Sequence, residues 1–255
     1  MNRLLRVIDT GLRSARWNIA VTAALIERHV DGRRSDTLRF HRYRPAVLIG
    51  RHQQPARSCD APACRRYAVD VARRITGGGA VYMTPGVLAF DLVIGRRVAG
   101  DQERAASSLC HALARALSRL DPAGRLVARY RPPGDVVIDG RKVVGAGGYH
   151  DGGTLACQGA IMVDMDFTVM AEVLALPASL DTQLTCLRDH LGAAADHAVL
   201  TGFLSDELTR IFDYTAAPDE LDEETMRLAE RMLSDGIGDA GDDVSGSATP
   251  HAAQG

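Results

Sequence analysis

The sequence predicts an α+β domain, and three observations carry that expectation. Apolar runs of strand length and apolar stripes of helical period are interspersed without the regular alternation of a doubly wound parallel sheet. Asp139-Gly140 stands between the β-branched runs Val136-Val137-Ile138 and Val143-Val144, the pattern of a two-residue hairpin. Residues 87–94 form an apolar run of the length expected for a strand buried on both faces.

From the N-terminus, residues 4–8 read as a strand and residues 18–30 as a mostly buried helix, apolar nearly all round. Residues 37–43 alternate as a strand, and residues 46–49, after Pro45, form a second short one. Asp60-Ala61-Pro62 has the composition of a helix start, with helix expected to about residue 73. Ile75 leads into Thr76-Gly77-Gly78-Gly79 and then the strand-like Ala80-Val81-Tyr82. Asp101 is placed to cap a helix reaching Leu120, with Leu109, Leu113, Ala116, Leu117 and Leu120 on one stripe. A turn at Asp151-Gly152-Gly153 precedes a strand over 155–163, and helices follow at about 168–176, 200–211 and 223–233. After Ser234 the chain is rich in Gly, Asp, Ser and Ala, with almost nothing to bury, so a disordered tail is expected. The expected organisation is one main domain over 1–215, a C-terminal helix within 216–233 and a tail over 234–255.

Hydrophobic residues make up 46% of the 255, enough for an ordinary core. No apolar run reaches the roughly 18 to 20 residues of a membrane helix, and the charged start lacks the apolar region of a signal peptide. The five cysteines, Cys59, Cys64, Cys110, Cys157 and Cys186, are scattered, which fits a reducing compartment, and a cytoplasmic protein is expected. The acidic end beyond Pro218 has a net charge of −8, which leaves +6 on the first 218 residues. That mild excess suits an anionic ligand or an acidic protein partner and is too weak for nucleic acid. Twenty-nine of the thirty basic residues are Arg, and the one lysine is Lys142. Such a chain uses Arg wherever any positive charge serves, so the exception marks a place for a compact ammonium.

Two segments carry candidate chemistry. In Arg73-Arg74-Ile75-Thr76-Gly77-Gly78-Gly79-Ala80-Val81-Tyr82, three glycines free the backbone to present N–H groups to an anion or to let a flat ligand lie against it. No Gly-Lys-Ser/Thr follows, so it is not a Walker A loop. In Gly134-Asp135-Val136-Val137-Ile138-Asp139-Gly140-Arg141-Lys142-Val143-Val144-Gly145-Ala146-Gly147-Gly148, the hairpin sets Lys142 just past the turn on a strand that ends in small residues. A dinucleotide fingerprint is excluded there, because strand-like sequence follows where a helix is needed. Cys157 could be a thiol nucleophile, although a buried strand cysteine is the commoner case. The histidines are dispersed and Cys59 and Cys64 have no matching second pair, so no metal site is expected.

At these residues the chain resembles the lipoate–protein ligases, within a superfamily that includes biotin–protein ligases and octanoyltransferases. The triple-glycine segment is similar to their lipoate-binding loop, and Gly134 to Gly145 to their lysine hairpin. Thr37-Leu38-Arg39-Phe40, Ala46 to Gln53 and Trp17-Asn18-Ile19-Ala20 extend the likeness, which runs from about Arg3 to Leu191. The resemblance implies a mixed β-sheet catalytic domain of the biotin/lipoate ligase type with flanking helices. It implies ATP with Mg2+ and lipoate (or octanoate) as substrates, a lipoyl-domain carrier protein as acyl acceptor, and a small accessory ligase subunit as a further partner. Carried over by position, Lys142 would be the catalytic residue. Arg74, Thr76, Gly77, Gly78, Gly79, Ala80, Tyr82, Asp135, Gly145, Ala146 and Gly159 would line the acyl and adenylate site.

Departures from the family pattern are Met83-Thr84 for His-Asp after the loop, Thr22-Ala23 for Asp-Glu, Gly148 for Gln, and Cys157-Gln158-Gly159 for His-His-Gly. Three readings follow. The first is an ATP-dependent ligase that forms lipoyl-AMP and passes the acyl group to a carrier lysine. The second is an octanoyl or lipoyl transferase using a thioester on Cys157 or Cys186. The third is a non-catalytic binder.

Overall fold

The computed structural model describes residues 3–33, 35–176 and 182–241. In chain order the strands and helices are β1 (Arg3–Arg13), α1 (Ala15–Val30), β2 (Thr37–Tyr43), β3 (Ala46–Ile49), α2 (Ala61–Arg66), β4 (Asp70–Arg73), β5 (Val81–Met83), β6 (Val87–Gly95), α3 (Arg96–Ala99) and α4 (Gln102–Ser118). They continue as β7 (Ala128–Arg131), β8 (Asp135–Ile138), β9 (Arg141–Asp151), β10 (Thr154–Met162), α5 (Phe167–Val173), α6 (Leu187–Leu191), α7 (His197–Phe212), β11 (Tyr214–Pro218) and α8 (Glu223–Ser234).

Eight strands form a mixed sheet in the order β11-β1-β2-β6-β10-β9-β8-β7, and β4-β3-β5 form a small second sheet. β1 runs parallel to both β11 and β2, and from β2 to β7 every pair is antiparallel. This is the mixed α+β architecture expected.

β6 shows why its sequence reads as it does. Leu88, Phe90, Leu92 and Ile94 point into the core beneath α4 and α7. Val87, Ala89 and Val93 point to the opposite face, towards α1 and the small sheet. A strand buried on both faces needs apolar residues in both alternating sets. The α4 stripe is buried as its period implies, with Leu109, Leu113, Ala116 and Leu117 at 1% exposure or less, and Asp101 caps the helix by accepting from the Arg104 N–H at 2.8 Å. On the other face, Ala20 and Ala24 of α1 meet Ala229 of α8, small residues that let two helices approach closely.

Two expectations are corrected. The helix beginning after Asp60 stops at Arg66, and residues 70–73 are strand β4, parallel to β3. The chain turns at Ala68, which has φ +52°, and the β-branched Val69 and Val71 bring it alongside the free edge of β3. Residues 235–241 are docked, although they were expected to belong to a free tail. Arg16 donates to the carbonyls of Leu233 and Ile237, both at 3.2 Å. The Arg73 backbone N–H reaches the Gly238 carbonyl at 3.0 Å and its side chain the Ala240 carbonyl at 3.0 Å. The rest of the expected tail, 242–255, lies outside the described residues.

Candidate functional site

β9 brings the lysine and the small residues together. The Asp139-Gly140 turn, with φ +50° and +76°, forms the expected hairpin between β8 and β9. Lys142 pairs with Val137 of β8 on one side. On the other, its N–H donates to the Gln183 carbonyl at 2.8 Å and its carbonyl accepts from the Thr185 N–H at 2.9 Å. The backbone of Lys142 is therefore clamped from both sides. Its side chain lies back along β9, with Nζ 2.6 Å from Asp135 Oδ1. Asp135 Oδ2 accepts from Arg131 at 3.0 Å, so this carboxylate sits between two cations. Asp135 and Gly145 are cross-strand partners. The ammonium lies over Gly145, where an added Cβ would come within 2.9 Å of Nζ.

The face of the sheet beneath the lysine continues through Gly147 of β9 and through Gln158 and Ala160 of β10, which pair with Gly147 and Gly145 respectively. Space above Gly147, Gly77 and Gly79 is open. The triple-glycine loop meets this face through Thr76, whose hydroxyl donates to Gln158 Oε1 at 3.1 Å. Gly145 and Gly147 are two residues apart, so the ammonium and the Thr76 contact are separated by roughly 7 Å along the strands. Farther along β9 a cleft of about 440 Å³ opens between the loop, α1 and α8, with Ile26, Ile75, Tyr149 and Met232 among its walls. Chemically, the arrangement offers a cation at one end, a floor without side chains, and at the other end a cleft whose walls mix apolar residues with Glu27, Arg51 and Asp151.

The remaining expected site residues are distributed less simply. Arg74 lies behind the loop: it donates to the carbonyls of Leu48, Gly77 (2.9 Å) and Gly79 (2.8 Å). Its guanidinium braces the glycines and is committed to them. Gly77, Gly78 and Gly79 are exposed, and Ala80 is half-buried. Tyr82 is buried in the core of the small sheet, where desolvation and the charge of Asp166 push its hydroxyl pKa up, so it packs rather than lines the open face. Ala146 and Gly159 belong to the opposite face, because alternation turns them towards α4; a Cβ on Gly159 would meet the Phe90 ring at 2.3 Å. Cys157 also faces that core, and burial pushes its thiol up to about 12. Cys186 is buried at the start of α6, and burial raises its thiol as well.

Sequence reasoning assigned no site role to Arg39, Asp91 or Gln158. Asp91 is 1% exposed and Arg39 is fully buried, and they form an ion pair at 3.0 Å beneath the loop. The signal was present: Asp91 interrupts the apolar run of β6 and Arg39 sits in the middle of β2, and a charge inside a buried strand needs a partner. Among the described residues no group of His, Cys, Asp or Glu is arranged to hold a metal ion, and no helix is long and apolar enough to cross a membrane.

Comparison with known proteins gives the family of the chain. The chain is 26% identical over 265 residues to octanoyltransferase LipM of Kyrpidia tusciae, covering 92% of this chain and 96% of that one. It is 26% identical over 161 residues to lipoate-protein ligase LplJ of Bacillus subtilis, covering 63% of this chain and 46% of that one. A crystal structure of lipoate-protein ligase A bound with ATP superposes with a TM-score of 0.80 at 23% identity, covering 92% of this chain and 95% of that one. The lipoyl protein ligase A/B catalytic domain matches residues 14–209. The chain belongs to the lipoyl protein ligase A/B catalytic domain family, whose members include lipoate ligases and octanoyltransferases.

Proposed function

We propose that this enzyme is an AMP-forming lipoate–protein ligase. A lipoate or octanoate carboxylate oxygen attacks the α-phosphorus of ATP, the bond to the β-phosphate breaks, and pyrophosphate leaves. The amine of a carrier lysine then attacks the acyl carbonyl, the bond to AMP breaks, and the amine proton goes to solvent. Lys142 stabilises the negative charge shared between carboxyl and phosphate oxygens. It does so from its place over Gly145, turning its N–H groups from Asp135 to the ligand, and Asp135 stays paired with Arg131. The exposed glycine loop lies over the acyl chain, and the bare strand at Gly145 and Gly147 forms the floor. Asp135 is the carboxylate of the site that would hold a Mg2+ ion accompanying ATP, and such an ion would offset phosphate charge there. The acceptor is a lipoyl-domain protein.

The observation that favours the ligase over thioester transfer is the burial of all five cysteines. Cys157 faces away from Lys142, its thiol is pushed up to about 12, and a thiol at neutral pH is a poor nucleophile. The octanoyltransferase relatives motivate the second reading, with Cys186, one residue past the segment that clamps Lys142, as its nucleophile. The test is intact mass of an apo lipoyl domain incubated with the enzyme, lipoate and ATP, with pyrophosphate release followed in parallel. Acylation that needs ATP and persists after Cys157→Ala and Cys186→Ala supports the ligase. Transfer from an acyl carrier protein without ATP, with a thioester trapped on the enzyme, replaces it by the second reading.

A further inference from the structure

Arg39, Asp91, Gln158 and Gly147 form one row across four neighbouring strands, β2, β6, β10 and β9. The row begins in the buried ion pair. The Arg39 guanidinium donates to Asp91 Oδ2 at 3.0 Å, to Thr10 Oγ1 at 3.0 Å, to the Asn18 carbonyl at 3.2 Å and to the Asn18 side chain. Asp91 Oδ2 also accepts from Thr22 Oγ1 at 2.8 Å. Asp91 Oδ1 accepts from Gln158 Nε2 at 2.8 Å, and Gln158 Oε1 accepts from Thr76 Oγ1 at 3.1 Å.

The direction of every bond in this chain is forced. A guanidinium can only donate and an ionised carboxylate can only accept. Gln158 must therefore turn its NH2 to Asp91 and its carbonyl to Thr76, since the flipped amide would set oxygen against oxygen. The Thr76 hydroxyl must then give its one proton to Gln158. The other ties described for the loop run back to its own side: Arg74 holds the Gly77 and Gly79 carbonyls, and the Arg51 N–H holds the Thr76 carbonyl at 2.9 Å. Gln158 is different because it ties the loop to the main sheet.

We propose that Gln158 is a positioning residue that fixes the triple-glycine loop over the floor of the acyl site through Thr76, using the Arg39–Asp91 pair as its anchor. This rests on the acyl-site reading above for its effect on turnover, but not for its effect on the loop. A loop fixed before the ligand arrives has less freedom to lose on binding. The energy of the Gln158–Thr76 contact should therefore appear in acyl-substrate affinity and not in the chemical step.

The experiment compares Gln158→Leu, Thr76→Val, Thr76→Ser and the Gln158→Leu/Thr76→Val double variant in the full chain. Hydrogen exchange over residues 75–80 without ligand reads the loop directly. Both single losses should speed exchange, the double variant should be no faster than either, and Thr76→Ser, which keeps the hydroxyl, should match wild type. Octanoate affinity should fall about 3- to 10-fold in both single losses, the range for one neutral hydrogen bond. KM for the acyl substrate should rise with kcat retained; Tm should hold in Thr76→Val and fall in Gln158→Leu, where Asp91 keeps Arg39 and Thr22 on Oδ2 but loses the donor to its buried Oδ1. Wild-type exchange in Gln158→Leu, or additive effects in the double variant, would overturn the proposal. Because exchange is read without turnover, that outcome is distinguishable from failure of the ligase reading.

Discussion

Gly145→Ala isolates the position of the Lys142 ammonium from everything else in the fold. A Cβ on Gly145 would lie 2.9 Å from Lys142 Nζ and 3.0 Å from its Cε. Ordinary contacts lie near 3.5–4.0 Å, so the ammonium must retreat by roughly 0.5–1 Å. The atoms that yield are the free end of a flexible side chain, and Gly145 is not among the glycines of positive φ. The fold should therefore tolerate the methyl, and replacing a mid-strand glycine by alanine should add about 0.5–1 kcal/mol of stability. Catalysis should suffer, because a misplacement on the order of 1 Å costs up to ~100-fold. The expected result is a ~30- to 100-fold fall in pyrophosphate release with lipoate and ATP, beside an unchanged or raised Tm. In a Lys142→Ala background the same substitution should lose most of its effect, since the group it displaces is gone and only the methyl on the acyl floor remains. Turnover like wild type from Gly145→Ala, with the fold intact, would refute the placement of the acting ammonium over Gly145.

Three further outcomes are expected. Lys142→Ala should lower pyrophosphate release ~100- to 1000-fold, and Lys142→Arg should recover little, because a planar guanidinium does not fit the space of an ammonium between Asp135 and the strand; initial rates and thermal melts of both variants check this. Ending the chain after Ser234 should cost about 2–3 kcal/mol relative to a chain ending at Gly241, since it removes the packed Ile237 and two of the carbonyls to which Arg73 donates, those of Gly238 and Ala240, and should lower Tm by roughly 4–12 °C. The third concerns acid stability. Burial pushes the Glu207 carboxyl up, but hydrogen bonds and charge from Arg115 (2.7 Å) and Arg210 (2.8 Å) outweigh it and hold it below the ordinary value. A depressed carboxyl contributes stability that is present above its unfolded value and lost as pH falls through the folded one. Chemical denaturation from pH 7 down to about 3 should therefore show wild type losing its advantage over Glu207→Gln in the acid range, with no such loss between pH 6 and 7.

The sequence by itself determined the α+β class, the Asp-Gly hairpin and the family. Each is written locally. A turn pair between β-branched runs forms a hairpin whatever surrounds it, and a buried strand shows its burial in composition. The lone lysine could be picked out for the same reason: it is a choice of one residue type against twenty-nine others. The edge strands β7 and β11 were not legible, because an edge strand has exposed positions and little apolar pattern. Residues 70–73 became strand only because the edge of β3 was there to pair with.

Tertiary structure alone decided which of the small residues face the site. Gly145 and Gly147 lie on one face and Ala146 and Gly159 on the other, and register, not composition, makes that assignment. It also decided that Arg74 braces the loop from behind. Arg39, Asp91 and Gln158 are 52 and 67 residues apart in sequence and meet only because β2, β6 and β10 are neighbours in the sheet. Asp91 and Arg39 stand out as charges inside buried strands, but which groups they meet has no local signature, because the partners come within hydrogen-bonding distance only when the strands pair.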